Sequence, residues 1–139
     1  MLHCTIIGDS IAVGIHMSKE ECALWGKGGI NSWQFNKKYP GDFNSDYVII
    51  SLGSNDHKGV KTLEELTALR KRVKARSRVV WILPAGNLAA SGVSIEKIQS
   101  FVVQIAKENG DTVLPIPSLS PDKIHPSGRG YKELAKSIK

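Results

Sequence analysis

The stretch TIIGDSIAVG, residues 5–14, decides the fold because an apolar run stops there at Gly-Asp-Ser and then resumes. Residues 5–7 predict a short buried strand, residues 8–10 a sharp break, and residues 11–13 the first turn of a helix. A strand that passes directly into a helix leaves Ser10 at the turn. Two interpretations of this serine are open: a helix N-cap, or a nucleophile beside the free N–H groups of a helix start.

Outward from this stretch, strand and helix patterns alternate along the whole chain. Two strand patterns, YVIISL and RVVWIL, are apolar on both faces and therefore need helices on both sides of the sheet. The alternation predicts a doubly wound α/β sheet with right-handed crossovers. The predicted strands are residues 3–7, 22–25, 47–52, 79–83 and 112–116, and the predicted helices are residues 10–18, 32–38, 63–75, 94–109 and 128–138.

The length of 139 residues fits one domain, residues 1–139, that can bury its own hydrophobic core. With 41% hydrophobic and 23% charged residues, the composition is that of a soluble globular protein. No apolar run approaches the roughly 20 residues of a membrane span, and residues 1–4 lack the pattern of a signal peptide. We therefore expect a soluble protein, cytoplasmic or part of a larger assembly.

The chain has two cysteines, Cys4 and Cys22. Neither lies in a CxxC or histidine-rich context of the kind that zinc and redox sites use. We expect both to be buried reduced thiols, and we expect neither a metal ion nor a cofactor.

The net charge of +6 raises the possibility of a nucleic-acid partner. Its densest source begins in the predicted helix at residues 63–75, so most of its cations fall on a solvated face and in the last turn, where cations are favourable. No aromatic residues alternate with the cations. We therefore expect no nucleic-acid binding from this run, which consists of Arg70, Lys71, Arg72, Lys74, Arg76 and Arg78.

The loops that follow the predicted strands hold most of the polar side chains that could do chemistry. In a parallel sheet these loops meet at one edge, which is where ligands bind. We expect the candidate site there, in the segments GDS, GKGGINS, GSNDHKG, PAGNLAASG and PSLSPDKIHPSG.

A serine nucleophile needs a base and an acid that orients the base. Among the four histidines, only His125 has a carboxylate three residues before it, Asp122 in DKIHP. The two can meet within one loop, with the free imidazole nitrogen directed toward Ser10. His57 is the rival base, but its neighbour Asp56 is adjacent in sequence and points away. His57 fits better as a substrate contact or a solvated loop residue.

A serine nucleophile also needs N–H donors for the oxyanion. The candidates are the backbone N–H of Ser10, a glycine N–H from Gly28 or Gly29, and the side-chain amide of Asn55. Glycine lets the backbone approach a ligand closely, and an amide NH2 reaches further than a backbone group. Taken singly, the glycines also fit a plain turn and Asn55 a capping residue.

In order and placement, four blocks resemble those of the SGNH (GDSL-like) hydrolase family: residues 8–10, Gly29, residues 53–56 and residues 122–126. The resemblance implies a three-layer α/β/α sandwich, flavodoxin-like, with a central parallel sheet of about five strands. It implies Ser10 as nucleophile, Asp122 and His125 as the rest of a catalytic triad, and Ser10, Gly29 and Asn55 as the oxyanion hole. The chain departs from the pattern in reading GDSI rather than GDSL, and in carrying Lys27 where many relatives carry Asn.

The resemblance implies ester hydrolysis without naming the ester. Large apolar residues are few in the edge loops, so a short acyl group on a polar alcohol fits better than a long acyl chain; they are Val60, Leu88, Val93, Leu119 and Ile124. Four cations near the rim favour anionic glycans, namely Lys27, Lys58, Lys123 and Arg129. We expect a metal-free serine esterase that acts on a small-molecule or glycan ester, first of all an acetyl ester of a carbohydrate. The alternatives are a thioesterase or lysophospholipase, and a catalytically idle carbohydrate-binding or structural module.

Overall fold

Strand β3, Phe43–Ser51, lies at the centre of a five-stranded parallel sheet. The structure is a computed structural model that describes residues 3–86 and 92–138. The predicted doubly wound α/β fold is confirmed. The other strands are β1 Cys4–Gly8, β2 Ala23–Gly26, β4 Val73–Ile82 and β5 Thr112–Leu114, and the helices are α1 Ser10–His16, α2 Ser32–Lys38, α3 Thr62–Arg72, α4 Ile95–Asn109 and α5 Gly128–Ser137. The strand order across the sheet is β2-β1-β3-β4-β5.

Each face of the sheet packs against its own layer of helices. Successive residues of β1 point to opposite faces, so that Ile7 joins one hydrophobic cluster and Ile6 the other. The Ile7 cluster includes residues of α2, α3 and α4, whereas the Ile6 cluster includes residues of α1 and α5. This explains why YVIISL and RVVWIL lack polar alternation: Ile49 and Ile50 of β3 are both fully buried, one on each face.

Gly8 allows β1 to end in direct contact with β3. Its φ is 146°, and a Cβ atom at this position would lie 1.8 Å from the backbone oxygen of Ser51. The next residue, Asp9, donates its backbone N–H to the same oxygen at 3.0 Å. A side chain at position 8 would force the strands apart, and this close approach is what brings the start of α1 to the sheet edge.

The helix-to-strand boundary after α3 differs from the prediction. The pattern predicted a helix through residue 75 and a strand from residue 79, but α3 ends at Arg72 and β4 begins at Val73. Lys74, Arg76 and Arg78 therefore lie on a strand. Pairing with β3, whose own strand begins at Phe43 rather than residue 47, overrides the local helical pattern.

The basic run around this boundary is not a uniform solvated face. Arg70 forms a two-pronged ion pair with Asp111, at 2.8 and 2.9 Å, and Trp81 donates to the same carboxylate at 2.9 Å. Arg72 donates to the side-chain oxygen of Asn36 at 2.7 Å. These cations hold α2, α3 and the segment before β5 together, so part of the positive charge is structural.

The prediction of reduced thiols is wrong, because Cys4 and Cys22 form a disulfide with their Cα atoms 4.7 Å apart. The cause is strand register: Thr5 pairs with Ala23 in the parallel β1–β2 ladder, which places the two preceding residues side by side. The register is a property of the sheet and leaves no mark in the local sequence. Within the described part of the chain, no helix is long and apolar enough to cross a membrane.

Candidate active site

Ser10 is the first residue of α1, and its hydroxyl contacts His125. Ser10 is not the N-cap of α1. The N-cap is the preceding residue, Asp9, which accepts from the N–H of Ile11 at 3.0 Å. The side chain of Ser10 therefore remains available. Its Oγ lies 2.8 Å from Nε2 of His125, and Nδ1 of His125 lies 2.7 Å from Oδ2 of Asp122.

Asp122 is held as a carboxylate by hydrogen bonds from its own loop. Its Oδ1 accepts from the hydroxyl of Ser120 at 2.6 Å and from the backbone N–H groups of Ile124 and His125 at 2.9 and 3.0 Å. These bonds, that of Ser120 foremost, together with the bond from the His125 ring, hold the pKa of Asp122 well below its usual range. A carboxylate only accepts, so in neutral His125 the proton lies on Nδ1 and the Nε2 lone pair faces Ser10.

The loop that carries Asp122 and His125 is shaped by the loop after β4. Lys123 adopts a left-handed backbone with φ of 60°. Gly86, with φ of 121°, lies against it, and a Cβ there would approach Ile124 Cγ1 at 2.6 Å and the oxygen of Lys123 at 2.8 Å. Gly86 therefore leaves the space that this loop occupies. This role of Gly86 was not predicted from the sequence, where a glycine in an edge loop was the available signal.

The two glycines of the second loop have different positions relative to Ser10. A Cβ at Gly28 would lie 3.8 Å from Cβ of Ser10, whereas a Cβ at Gly29 would have no neighbour within 4 Å. Gly28 thus lies against the serine. Gly29, with φ of 79°, is the next residue of the same turn. Of the two glycines, Gly28 is the one whose Cβ position lies close to Ser10, and the role of Gly29 in the oxyanion hole stays a prediction.

Asn55 joins the loop after β3 to the glycine loop. Its Nδ2 donates to the backbone oxygen of Ile30 at 3.1 Å, across 25 residues. A side-chain amide has two N–H groups, so this bond leaves a second donor for a ligand. Asn55 therefore has a structural contact and the chemical capacity of an oxyanion donor at the same time.

The side chain of Asp56 holds the same loop in place, a role that was not predicted from the sequence. Its carboxylate is fully buried and accepts from the N–H and hydroxyl of Ser32, at 2.9 and 2.6 Å, and from the hydroxyl of Thr62 at 2.7 Å. Ser32 and Thr62 begin α2 and α3. One carboxylate thus fixes two helix starts next to Asn55, a role that the spacing in sequence does not reveal.

The rival histidine lies in a turn of its own. Nδ1 of His57 accepts from the N–H of Gly59 at 3.0 Å in an exposed position. His57 also lines a cavity of about 340 Å³ together with Lys58, Val60 and Val93. The histidine bonded to Ser10 is His125, and His57 lies on the wall of this neighbouring cavity.

Asp9 is a buried acid directly behind the nucleophile candidate. Its side chain is fully buried, and among the described residues its Oδ2 is a buried side-chain oxygen without a hydrogen-bond partner. Burial raises the pKa of Asp9 to about 7, against the lowering effect of the N–H groups of Ile11 and Ala12. The site therefore contains one carboxyl group, Asp9, whose pKa is raised and another, Asp122, whose pKa is lowered.

The cations and apolar loop residues named from the sequence lie in different surroundings. Lys27 lines a cavity of about 260 Å³ with Gly28 and Gly29, while Arg129 forms an exposed ion pair with Glu133 at 3.1 Å. Leu119 is 38% exposed, and Leu88 lies outside the described residues. Within residues 3–86 and 92–138, no group of three acidic, histidine or cysteine side chains could hold a metal ion.

Comparison of the sequence with models of known protein families and with curated proteins finds no match. Solved structures do match. A GDSL-like lipase from Bacteroides thetaiotaomicron has a TM-score of 0.72 at 20% identity, over 96% of this chain and 84% of the lipase. The catalytic domain of peptidoglycan O-acetyltransferase A from Streptococcus pneumoniae also has a TM-score of 0.72, at 15% identity, over 98% of this chain and 89% of that domain.

An esterase of the SGNH-hydrolase family matches with a TM-score of 0.59 at 14% identity, over 99% of this chain and 93% of the esterase. Together with the sheet order and the helices on both faces, these matches define the class of the fold as a flavodoxin-like α/β/α sandwich. More particularly, the chain has the fold of the SGNH (GDSL-like) hydrolases.

Proposed function

We propose that the protein is a serine esterase with Ser10 as nucleophile. The observation that carries the proposal is the continuous chain of hydrogen bonds from Ser10 Oγ to His125 Nε2, at 2.8 Å, and from His125 Nδ1 to Asp122 Oδ2, at 2.7 Å. A hydroxyl bonded to a neutral imidazole that is oriented by a carboxylate is the arrangement that activates serine in acyl transfer.

In the proposed reaction, Ser10 Oγ attacks the ester carbonyl carbon while His125 Nε2 takes the hydroxyl proton. The carbonyl oxygen becomes an oxyanion, which the N–H groups of Ser10 and of the glycine turn and the Asn55 amide stabilise. When the intermediate collapses, the bond to the alcohol breaks and His125 returns its proton to the alcohol. Water then attacks the acyl-enzyme with His125 again as base, which releases the acid and restores Ser10.

The proposed substrate is a short acyl ester of a carbohydrate, first of all an acetyl ester. One structural neighbour is a peptidoglycan O-acetyltransferase domain, whose name associates this fold with acetyl groups on a glycan. Beside the glycine turn, the cavity of about 260 Å³ is lined by Lys27, Gln34 and Lys38 as well as Ile30, which is more polar than a long acyl chain requires.

The test uses a fluorophosphonate probe, which modifies a serine only when it is activated. We expect labelling of Ser10 and its loss in Ser10→Ala, while Ser100→Ala, an exposed serine that bonds within α4, labels normally. Hydrolysis of p-nitrophenyl acetate should be faster than that of longer acyl esters. Absence of labelling would favour the alternative of a catalytically idle carbohydrate-binding or structural module. Faster turnover of long acyl chains would favour a thioesterase or lysophospholipase.

The acetyltransferase neighbour also favours a second candidate, transfer of the acyl group to a sugar hydroxyl in place of water. The chemistry up to the acyl-enzyme is the same. The two differ in the acceptor, so partition of the acyl group between water and an added oligosaccharide separates them. Acetate as the main product supports the esterase, and acetylated oligosaccharide supports the transferase.

A further inference from the structure

Two cavities that share Lys38 lie beside the glycine turn and the edge strand β2. The first is the cavity of about 260 Å³ that contains Gly28, and Gly28 lies against Ser10. The second is a cavity of about 630 Å³ that contains Trp25. Lys38 lines both cavities, so the two are neighbours around one side chain. We call these two adjoining cavities, from Gly28 to Trp25, the β2 groove.

The far end of the β2 groove is an aromatic wall. The side chain of Trp25 is 48% exposed, yet its ring is supported edge-on by Tyr39 and Phe43, with ring centroids 6.0 and 6.4 Å away. Tyr39 is itself tied to β2 by a hydrogen bond from its hydroxyl to the oxygen of Gly26 at 3.2 Å. A large ring that stays half exposed while its position is fixed is preorganised for a ligand.

Polar groups surround the aromatic wall. His3, Thr5, Asp42 and Asn44 line the same cavity and supply both donors and acceptors. A lipid chain would need an apolar pocket, whereas a sugar ring presents C–H faces to an aromatic ring and hydroxyl groups to its polar neighbours. Lys27 and Lys38 add positive charge between Trp25 and Ser10, which suits a glycan that carries carboxylates.

We propose that the β2 groove binds a glycan chain of several sugars, with Trp25 as a sugar-stacking subsite and the ester-bearing sugar at Ser10. This inference rests on the proposed esterase function and specifies its substrate as an oligomeric or polymeric glycan. Thr5, which lines the Trp25 cavity, lies three residues before Gly8 at the end of β1, a rise of about 10 Å. A single acetylated sugar at Ser10 therefore does not fill the Trp25 cavity, and a longer chain extends into it.

The test measures kcat/KM for acetylated oligosaccharides of two and six sugars, each divided by kcat/KM for p-nitrophenyl acetate. Three O-acetylated series serve as probes: xylo-oligosaccharides, chito-oligosaccharides and oligogalacturonates. We expect this ratio to rise with length in the wild type, most of all for the oligogalacturonates, which carry carboxylates. Trp25→Ala should lower the ratio for six sugars about tenfold, which corresponds to about 1.4 kcal/mol.

The matched control is Trp33→Ala. Trp33 on α2 is 46% exposed and lies beneath Lys37, 4.5 Å from the ring centroid, but it lines neither part of the groove. This variant should keep the length dependence of the wild type. If Trp25→Ala does not fold, Trp25→Phe, which retains a ring, replaces it. The change of the kcat/KM ratio with chain length in the wild type also tests the proposal and needs no substitution.

The two proposals fail in different ways. If the fluorophosphonate does not label Ser10 and p-nitrophenyl acetate is not cleaved, the esterase proposal is wrong. The groove is then tested by binding of the deacetylated six-sugar chains, which Trp25→Ala and not Trp33→Ala should weaken. If the protein is an esterase but all three series are flat with length, or the two tryptophan variants behave alike, the β2-groove proposal is overturned.

Discussion

The Oγ of Ser10 and the Nε2 of His125 lie 2.8 Å apart although 115 residues separate them in sequence. Ser10 follows β1, whereas His125 follows β5 at the far edge of the sheet. Residues 115–127 therefore have to return across the ends of β4 and β3 before α5 packs on the same face of the sheet as α1. The contact between the serine and the histidine depends on this return.

The first prediction concerns the base. His125→Ala should lower kcat for p-nitrophenyl acetate by at least about 10²-fold, since general base catalysis usually contributes about 10²- to 10⁴-fold. His57→Ala is the matched control, because His57 bonds within its own exposed turn. This variant should retain kcat within about threefold, because most surface substitutions have small effects. Equal losses in the two variants would make our choice of base wrong.

The second prediction concerns Asp122. Asp122→Asn should lower kcat by about 10²- to 10⁴-fold, because the carboxylate that orients His125 and supports its charge is lost. Glu133→Gln removes an exposed carboxylate from α5 and is the control for loss of one negative charge. Steady-state kinetics check the loss of kcat. The pKa of Asp122 is held well below its usual range, so its carboxylate should persist between about pH 4 and 5, which an NMR titration of the side-chain carboxyl checks.

The third prediction concerns Asn55. Asn55→Ala should lower kcat by about 10²- to 10³-fold with little change in KM, since an oxyanion donor acts mainly in the transition state. The lost bond to Ile30 should also lower the free energy of unfolding by about 1 kcal/mol.

Asn36→Ala is the matched control for Asn55→Ala. Asn36 likewise donates from Nδ2 to a backbone oxygen, that of Glu65 at 2.9 Å. It lies on α2 and not in one of the edge loops. It should destabilise the fold and leave kcat unchanged. A normal kcat in folded Asn55→Ala would assign Asn55 a purely structural role.

The fourth prediction concerns pH and Asp9. Burial raises the pKa of Asp9 from 3.8 to about 7. Between these values only the folded state holds the proton, so the contribution of Asp9 to the free energy of unfolding falls as pH rises, by about 1.4 kcal/mol per unit. The stability is thus greatest below the ordinary carboxyl pKa and is lost on approach to pH 7.

Urea unfolding of the wild type and Asp9→Asn at about pH 4.5, 6 and 7.5 checks this slope. Asparagine keeps the oxygen that accepts from Ile11 and does not titrate. We expect the wild type to lose stability relative to the variant across this range. A constant difference between the two proteins would show that Asp9 does not titrate there.

The fifth prediction concerns the Cys4–Cys22 disulfide. The bridge closes a loop with a sequence separation of 18, so its removal in a Cys4→Ser, Cys22→Ser double variant should lower the free energy of unfolding by about 3 kcal/mol. Reductant should destabilise the wild type and have no effect on the double variant. A wild type that is insensitive to reductant would contradict the prediction.

Much of the fold was predictable because it depends on local patterns. The apolar strand that ends at Gly8 and the apolar runs around Ile49 and Trp81 each indicate a buried strand without reference to the rest of the chain. The boundary at Val73 was not predictable. There, a helical pattern continues into residues that pair with β3, and the pairing partner lies far away in sequence.

The candidate site likewise has a part that was predictable from the sequence and a part that was not. The sequence by itself determined that Ser10 follows a strand end and that Asp122 and His125 share one loop, because residues so close in the chain are constrained by local backbone geometry. Only the tertiary structure decided which partners distant residues have: Asp56 with Ser32 and Thr62, Cys4 with Cys22, and Trp25 with Tyr39 and Phe43. These contacts depend on strand register and on helices packing over the sheet, and many different chain segments could satisfy the same local preferences.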